Sequence, residues 1–191
     1  MSAPVVAVVG SSVAQCGYAV GWVRHLASAL GDEARVVNLA QSGLSTRLAL
    51  HHLVPRLVPD TRLVLVSLSL PNEGLMLQQF ETGILKLAQA IRRKCPDAKI
   101  ALCGPYPCNE CRHSPHVRAM FDDLVQWFQN LPTETADLFI DFFSSVHDGQ
   151  GGWRDGEFED AVHPNAEGQK RMFDAIDLGA VRALLATTKT E

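Results

Sequence analysis

Four short stretches carry side chains that could do chemistry together. Asp160 and His163 stand three apart in EDAVHPNAEGQ, just before a proline that opens a helical pattern. A histidine works as a base when a carboxylate holds its tautomer and steadies the imidazolium that forms. Ser12 lies just beyond the apolar run Val5–Val9. Its hydroxyl is a weak nucleophile until a base takes the proton, and a helix start behind it favours developing negative charge. Gly43, in NLAQSGLST, has no side chain to keep its N–H from an oxyanion. Asn72, in SLSLPNEG, offers a side-chain amide. With the Ser12 N–H these make three donors for an oxyanion, as acyl transfer needs; losing one such donor typically costs about 10²–10³ in rate. Taken singly, each stretch has a plainer reading. These are a helix cap with a solvent-facing histidine, a small-residue turn with Ser11 or Ser12 as N-cap, a loop glycine, and a turn residue after Pro71.

The elements that must position these residues alternate along the chain. Strand-like runs occupy Val5–Val9, Arg35–Leu39, Arg62–Leu70, Lys99–Cys103 and Leu138–Phe142. Helical patterns run over Gly17–Leu30, Thr46–Val58, Met76–Lys94, Pro115–Asn130, and from Pro164 or Asn165 towards Leu185 with a break near Gly179. The continuous apolar character of the first run fits a strand buried on both faces. The βαβα alternation predicts one five-stranded parallel sheet with helices on both faces. Ligands sit beyond the carboxyl ends of such strands, which is where Ser12, Gly43, Asn72 and the Asp160–His163 stretch fall.

The composition sets limits on partners and class. The chain has 191 residues, 47% hydrophobic and 20% charged, with net charge −4. That suits a single domain over 1–191 and argues against disorder. No basic stripe points to nucleic acid, and no apolar run is long enough to span a membrane. Val5–Val9 is short and no Lys or Arg precedes it, so it reads as a first strand rather than a signal peptide, with a cytoplasmic setting as the default. The five cysteines, an odd number, fit that setting.

In chain order, Ser, Gly, Asn and Asp-x-x-His form a pattern that resembles the SGNH hydrolase superfamily, the GDSL-type esterases and lipases. VVGSSVAQCG resembles its first block, NLAQSGLST its second, SLSLPNEG its third and DAVHPNAEGQ its last, the most specific of the four. The likeness runs from about Val5 to about Ile176. It implies a three-layer α/β/α sandwich of the flavodoxin-like kind, with Ser12 as nucleophile, His163 as base and Asp160 orienting it. The Ser12 N–H, the Gly43 N–H and the Asn72 amide would form the oxyanion hole, and no metal or organic cofactor is required. The implied reaction is hydrolysis of a small-molecule carboxylic ester with an acetyl or other short acyl group. An acyltransferase, a thioesterase, a lysophospholipase and a catalytically silent binding domain are the alternatives. Three positions depart from the pattern: Ser11 and Glu73 stand where the family usually has Asp, and Pro71 replaces a small residue.

Other features carry weaker signals. Tyr106, Trp153 and Phe158 lie in loops expected over the site, either as a substrate wall or packed on one another. Cys108 and Cys111 form a lone Cys-x-x-Cys, read as a surface loop with free thiols or as half of a metal or disulfide site. His147 beside Asp148 is a second, weaker candidate base. The rival from another class is a nucleotide- or FMN-binding module in which Gly10-Ser11-Ser12 cradles a phosphate. It leaves Asp160 and His163 without a task.

Overall fold

The computed structural model describes residues 3–16, 20–109 and 113–186. Five strands form one sheet: β1 Val5–Gly10, β2 Arg35–Asn38, β3 Thr61–Ser67, β4 Lys99–Cys103 and β5 Leu138–Ile140. All pairings are parallel, in the order β2-β1-β3-β4-β5, which is the flavodoxin-like order. The central strands are apolar because both of their faces are covered. β1, VVAVVG, is buried throughout, whereas edge strand β2 is half exposed.

Ala7 and Val9 face a core closed by α3 Thr46–His52, α4 Leu77–Lys94 and α5 Pro115–Gln129. Val6 and Val8 face a second core closed by α2 Trp22–Leu30, α7 Ala166–Asp174 and α8 Leu178–Ala186. In α4 the buried Phe80, Ile84, Leu87, Ala88 and Ile91 recur at helical spacing, which fixes the face turned to the sheet. Two short helices, α1 Ser12–Gln15 and α6 Phe142–Val146, complete the set used below. Among the described residues no helix is long and apolar enough to cross a membrane.

Several element boundaries differ from the sequence expectation, each for a local reason. The helix predicted over 17–30 is preceded by α1, a reversal at Cys16 (φ +50°) and a restart at Trp22. Gly21 permits that reversal: a Cβ there would lie 2.5 Å from the Cys16 Cβ. The helix expected through Val58 stops at His52, and Pro55 sits in a 3-10 turn, Val54–Arg56. β5 ends at Ile140 because Asp141 caps α6, its carboxylate accepting the Ser144 N–H at 2.9 Å. By contrast α5 begins at Pro115 as the sequence predicts, with Ser114 Oγ accepting the Val117 N–H.

Candidate active site

The switch point of the sheet lies between β1 and β3, where the chain order reverses. Ser12 follows β1 and Asn72 follows β3. Gly10 ends β1 because the backbone there has no room for a side chain. A Cβ would lie 2.7 Å from Ala14 Cβ and 2.8 Å from the Ser67 carbonyl. Ser11 occupies the N-cap position of α1, but its side chain makes no capping bond and its buried Oγ has no partner among the described residues. Its N–H donates to the Ser67 carbonyl at 3.0 Å. Ser12 is therefore the first helical residue, half buried, with an N–H that has no intrahelical acceptor.

Four long-range hydrogen bonds hold this short helix and its surroundings. Gln169 Nε2 donates to the Val13 carbonyl at 3.0 Å, while its Oε1 accepts the Trp22 N–H at 3.0 Å. Asn38 Nδ2 donates to the Ala14 carbonyl at 2.9 Å. Gln15 Oε1 accepts the Ser42 N–H at 2.7 Å, next to Gly43. The sequence reading missed Gln15, Asn38 and Gln169. Gln169 did leave a signal, as a polar residue on the buried stripe of α7 with Met172.

Asp160 and His163 come from a tight loop. The Glu159 N–H donates to the His163 carbonyl and the Asn165 N–H to the Glu157 carbonyl, so the segments on either side pair. Asn165 then caps α7, its Oδ1 accepting from Glu167 and Gly168. At the tip, Asp160 Oδ1 accepts the N–H groups of Val162 and His163 at 2.8 and 2.9 Å. His163 Nδ1 lies 2.8 Å from Asp160 Oδ2, and Nε2 lies 3.0 Å from Ser12 Oγ. A carboxylate only accepts, so Nδ1 carries the proton, Nε2 accepts, and the Ser12 hydroxyl donates to it. Desolvation pushes the Asp160 carboxyl up. The hydrogen bonds from Val162 and from the His163 ring and backbone outweigh it and hold the carboxyl below its ordinary value.

Gly43 is exposed at φ +73°, a left-handed conformation that favours glycine, and the space a Cβ would enter is open for 4 Å. The Asn72 amide donates one hydrogen to the Leu44 carbonyl at 3.1 Å, beside Gly43; its nitrogen carries a second. Glu73 is buried, accepting the Thr46 N–H at 2.5 Å and Gln79 Nε2 at 3.0 Å. The longer carboxylate thus ties the Asn72 turn to the start of α3. The arrangement can pass a proton from Ser12 to His163 and offers N–H donors at three strand ends, that of β1 and those of β2 and β3 on either side of it.

Other candidates fall elsewhere. Tyr106 and Trp153 are fully buried, so they do not wall a cleft. Tyr106 stacks on Phe142 and its hydroxyl bonds Ser67 Oγ. Phe158 is half buried against the same core. His147 stacks on Phe143 and its Nδ1 accepts the Gly149 N–H, while Asp148 accepts from Gln150 and Gly152. Cys108 is buried; Cys111 lies outside the described residues, and with it the Cys-x-x-Cys pair. Among the described residues no three His, Cys, Asp or Glu side chains cluster as a metal site would need.

Comparison with known proteins fits this fold. The sequence model of the GDSL-like Lipase/Acylhydrolase family matches residues 8–171. No curated protein matches the chain. Among solved structures, TesA superposes with a TM-score of 0.73 at 25% identity, over 94% of this chain and 99% of that one. A member of the lipolytic protein G-D-S-L family from Veillonella parvula gives 0.69 at 18% identity, over 97% and 98%. The psychrotrophic esterase EstA from Pseudoalteromonas sp., in a structure inhibited by monoethylphosphonate, gives 0.64 at 20% identity, over 96% and 100%.

Proposed function

The chain belongs to the GDSL-like lipase/acylhydrolase family, and from that premise we propose that it is a serine esterase. Ser12 Oγ attacks the carbonyl carbon of a carboxylic ester while its proton passes to His163 Nε2. The N–H groups of Ser12 and Gly43 and the Asn72 amide meet the oxyanion of the tetrahedral intermediate. Collapse breaks the bond to the alcohol, which leaves with the proton from His163, and the acyl group stays on Ser12. His163 then takes a proton from water, the hydroxide attacks the acyl carbon, and the acid departs as Ser12 regains its proton. Asp160 fixes the ring through Nδ1–H and balances the imidazolium in both halves.

The observation that carries this reading is the unbroken line from Asp160 through His163 to Ser12, at 2.8 and 3.0 Å. A phosphate-cradling module makes no use of that line. In this reading water is the acceptor, and what supports its entry is the exposure of Asp160 and the open space within 4 Å of a Cβ built at Gly43 among the described residues. An ester of a short acyl group is the smallest substrate. The test is steady-state hydrolysis of p-nitrophenyl acetate. The wild type turns it over, and Ser12→Ala lowers kcat by about 10³–10⁶. Equal turnover by the variant contradicts the reading.

A further inference from the structure

The basic residues of this chain are scattered through its sequence, and the packing of α3 on α4 gathers several of them on one face. No Asp or Glu stands between Arg35 and Pro59, nor between Thr82 and Pro96. Arg47 and His51 are exposed one turn apart on α3, and Lys86 and Arg93 are exposed two turns apart on α4. Arg47, His51 and Lys86 stand round one opening between the two helices, which no acidic side chain lines among the described residues. Glu81, the one acid of α4, comes five residues before Lys86, is turned well away from it, and lies in the field of Asp123 on α5.

These cations lack counter-ions. Elsewhere Arg92 pairs with Asp137, Arg171 with Glu157 and Arg182 with Glu33, whereas Arg47, Lys86 and Arg93 have no carboxylate partner among the described residues. The surface between them is aliphatic: Met76 is 58% exposed and Leu85 is exposed on α4. Arginine and lysine stems cover apolar surface while their heads stay in water. Unpaired cations beside exposed aliphatic side chains match a surface with anionic heads over apolar tails. Nucleic acid calls for aromatic faces on which bases stack, and the one Phe, Tyr or Trp of these two helices, Phe80, is buried. The net charge of −4 does not oppose such docking. At physiological salt charges act over about 8 Å, so a surface pressed on this face meets its cations rather than the acids beyond.

We propose that the α3–α4 face docks on lipid bilayers rich in anionic headgroups, with Arg47, Lys86 and Arg93 against the headgroups and Met76 and Leu85 turned to the apolar layer below them. The loops that carry Gly43 and Asn72 lead into α3 and α4, so docking sets the triad beside the membrane surface. Docking of this kind needs no acyl transfer and stands whether or not Ser12 is the nucleophile.

The experiment is flotation of the whole chain, carrying Ser12→Ala so that the lipid stays intact, with vesicles of phosphatidylcholine alone or mixed equally with phosphatidylglycerol. Each basic side chain at an anionic surface strengthens binding about fivefold, so three should favour the mixed vesicles by about a hundredfold. Salt at about 0.5 M should remove most of that preference. Arg47→Gln, Lys86→Gln and Arg93→Gln together should lower it at least about thirtyfold and leave the melting temperature unchanged, since the three are exposed and make no ion pair among the described residues. Arg118→Gln, Lys170→Gln and Arg182→Gln remove the same charge from other elements and should leave the preference within about twofold. A chain that ignores the mixed vesicles, or binds both kinds alike, overturns the docking assignment and leaves the cations to an acidic protein partner. So does a preference that survives the loss of Arg47, Lys86 and Arg93.

Discussion

His163 sits on a loop that carries its own supports, whereas Ser12 sits on a turn held from across the fold. Most braces of the base loop come from residues 154–171, one exception being the Asn109 N–H, which donates to the Ala161 carbonyl at 2.8 Å. Asp160 binds the backbone of Val162 and His163, Asn165 binds the Gly156 carbonyl, and Glu157 forms a two-pronged pair with Arg171. The nucleophile turn instead depends on Asn38, Ser67 and Gln169, distant in sequence, and its Gln15 reaches Ser42. The difference assigns separate costs to damage. Changes in the base loop should reach the rate and spare the fold. Changes in the remote braces should reach both.

Asp160→Asn is the strongest way to break the comparison. It should lower kcat by roughly 10³–10⁴, because an amide fails to hold the ring in the productive tautomer. At neutral pH the melting temperature should hardly move, since the carboxylate is exposed and its bonds are local. Acid sharpens the point. The folded-state pKa of Asp160 is depressed, so its contribution to stability is fully present above the ordinary aspartate value near pH 4 and fades as pH falls through the folded value. The small stability gap between wild type and Asp160→Asn that remains at neutral pH should close below about pH 4 in acid titrations followed by circular dichroism. A gap that widens there contradicts the account.

Gln169→Leu comes next. It strands the buried Trp22 N–H and the Val13 carbonyl, at about 1–3 kcal/mol each. For a chain of this size, at about 2–4 °C per kcal/mol, that lowers Tm by roughly 4–24 °C. Since the Val13 carbonyl belongs to the helix that starts with Ser12, kcat should also fall, by about tenfold, with KM less affected. Differential scanning calorimetry and ester kinetics on one preparation separate the two effects. A large loss of rate with no loss of stability would erase the distinction between the two halves.

Ser11→Ala is the smallest change. The Ser11 hydroxyl is buried without a partner among the described residues, so removing it should leave stability within about 0.5 kcal/mol or raise it. The bond from the Ser11 N–H to Ser67 survives, so the rate should hold. A rate loss above about tenfold would make the hydroxyl part of the catalytic geometry.

The same contrast explains what the sequence discloses. The alternation of apolar runs exposes the parallel sheet because each central strand is buried on both faces and needs no partner to be recognised. Asp160 and His163 are legible because the turn that joins them is only three residues long. Ser12 is legible as a strand-end residue, but its bracing is not, because Asn38 and Gln169 lie 24 and 156 residues from the carbonyls they hold. Tyr106 and Trp153 stay ambiguous in the sequence for a related reason: loop aromatics read equally as lining or as packing until the fold shows these two turned into the core. The Glu73 departure is intelligible only with Thr46 in place, since its role lies in a backbone N–H on another helix.

The central claim is that His163 activates Ser12. The direct measurement is the intact mass of the wild type, Ser12→Ala and His163→Ala after a fluorophosphonate probe, with peptide mapping of the adduct. The account predicts one adduct on wild type, placed on Ser12, none on Ser12→Ala, and labelling slowed at least about a hundredfold in His163→Ala. A folded wild type that takes no label, or one labelled as fast without His163, would contradict it.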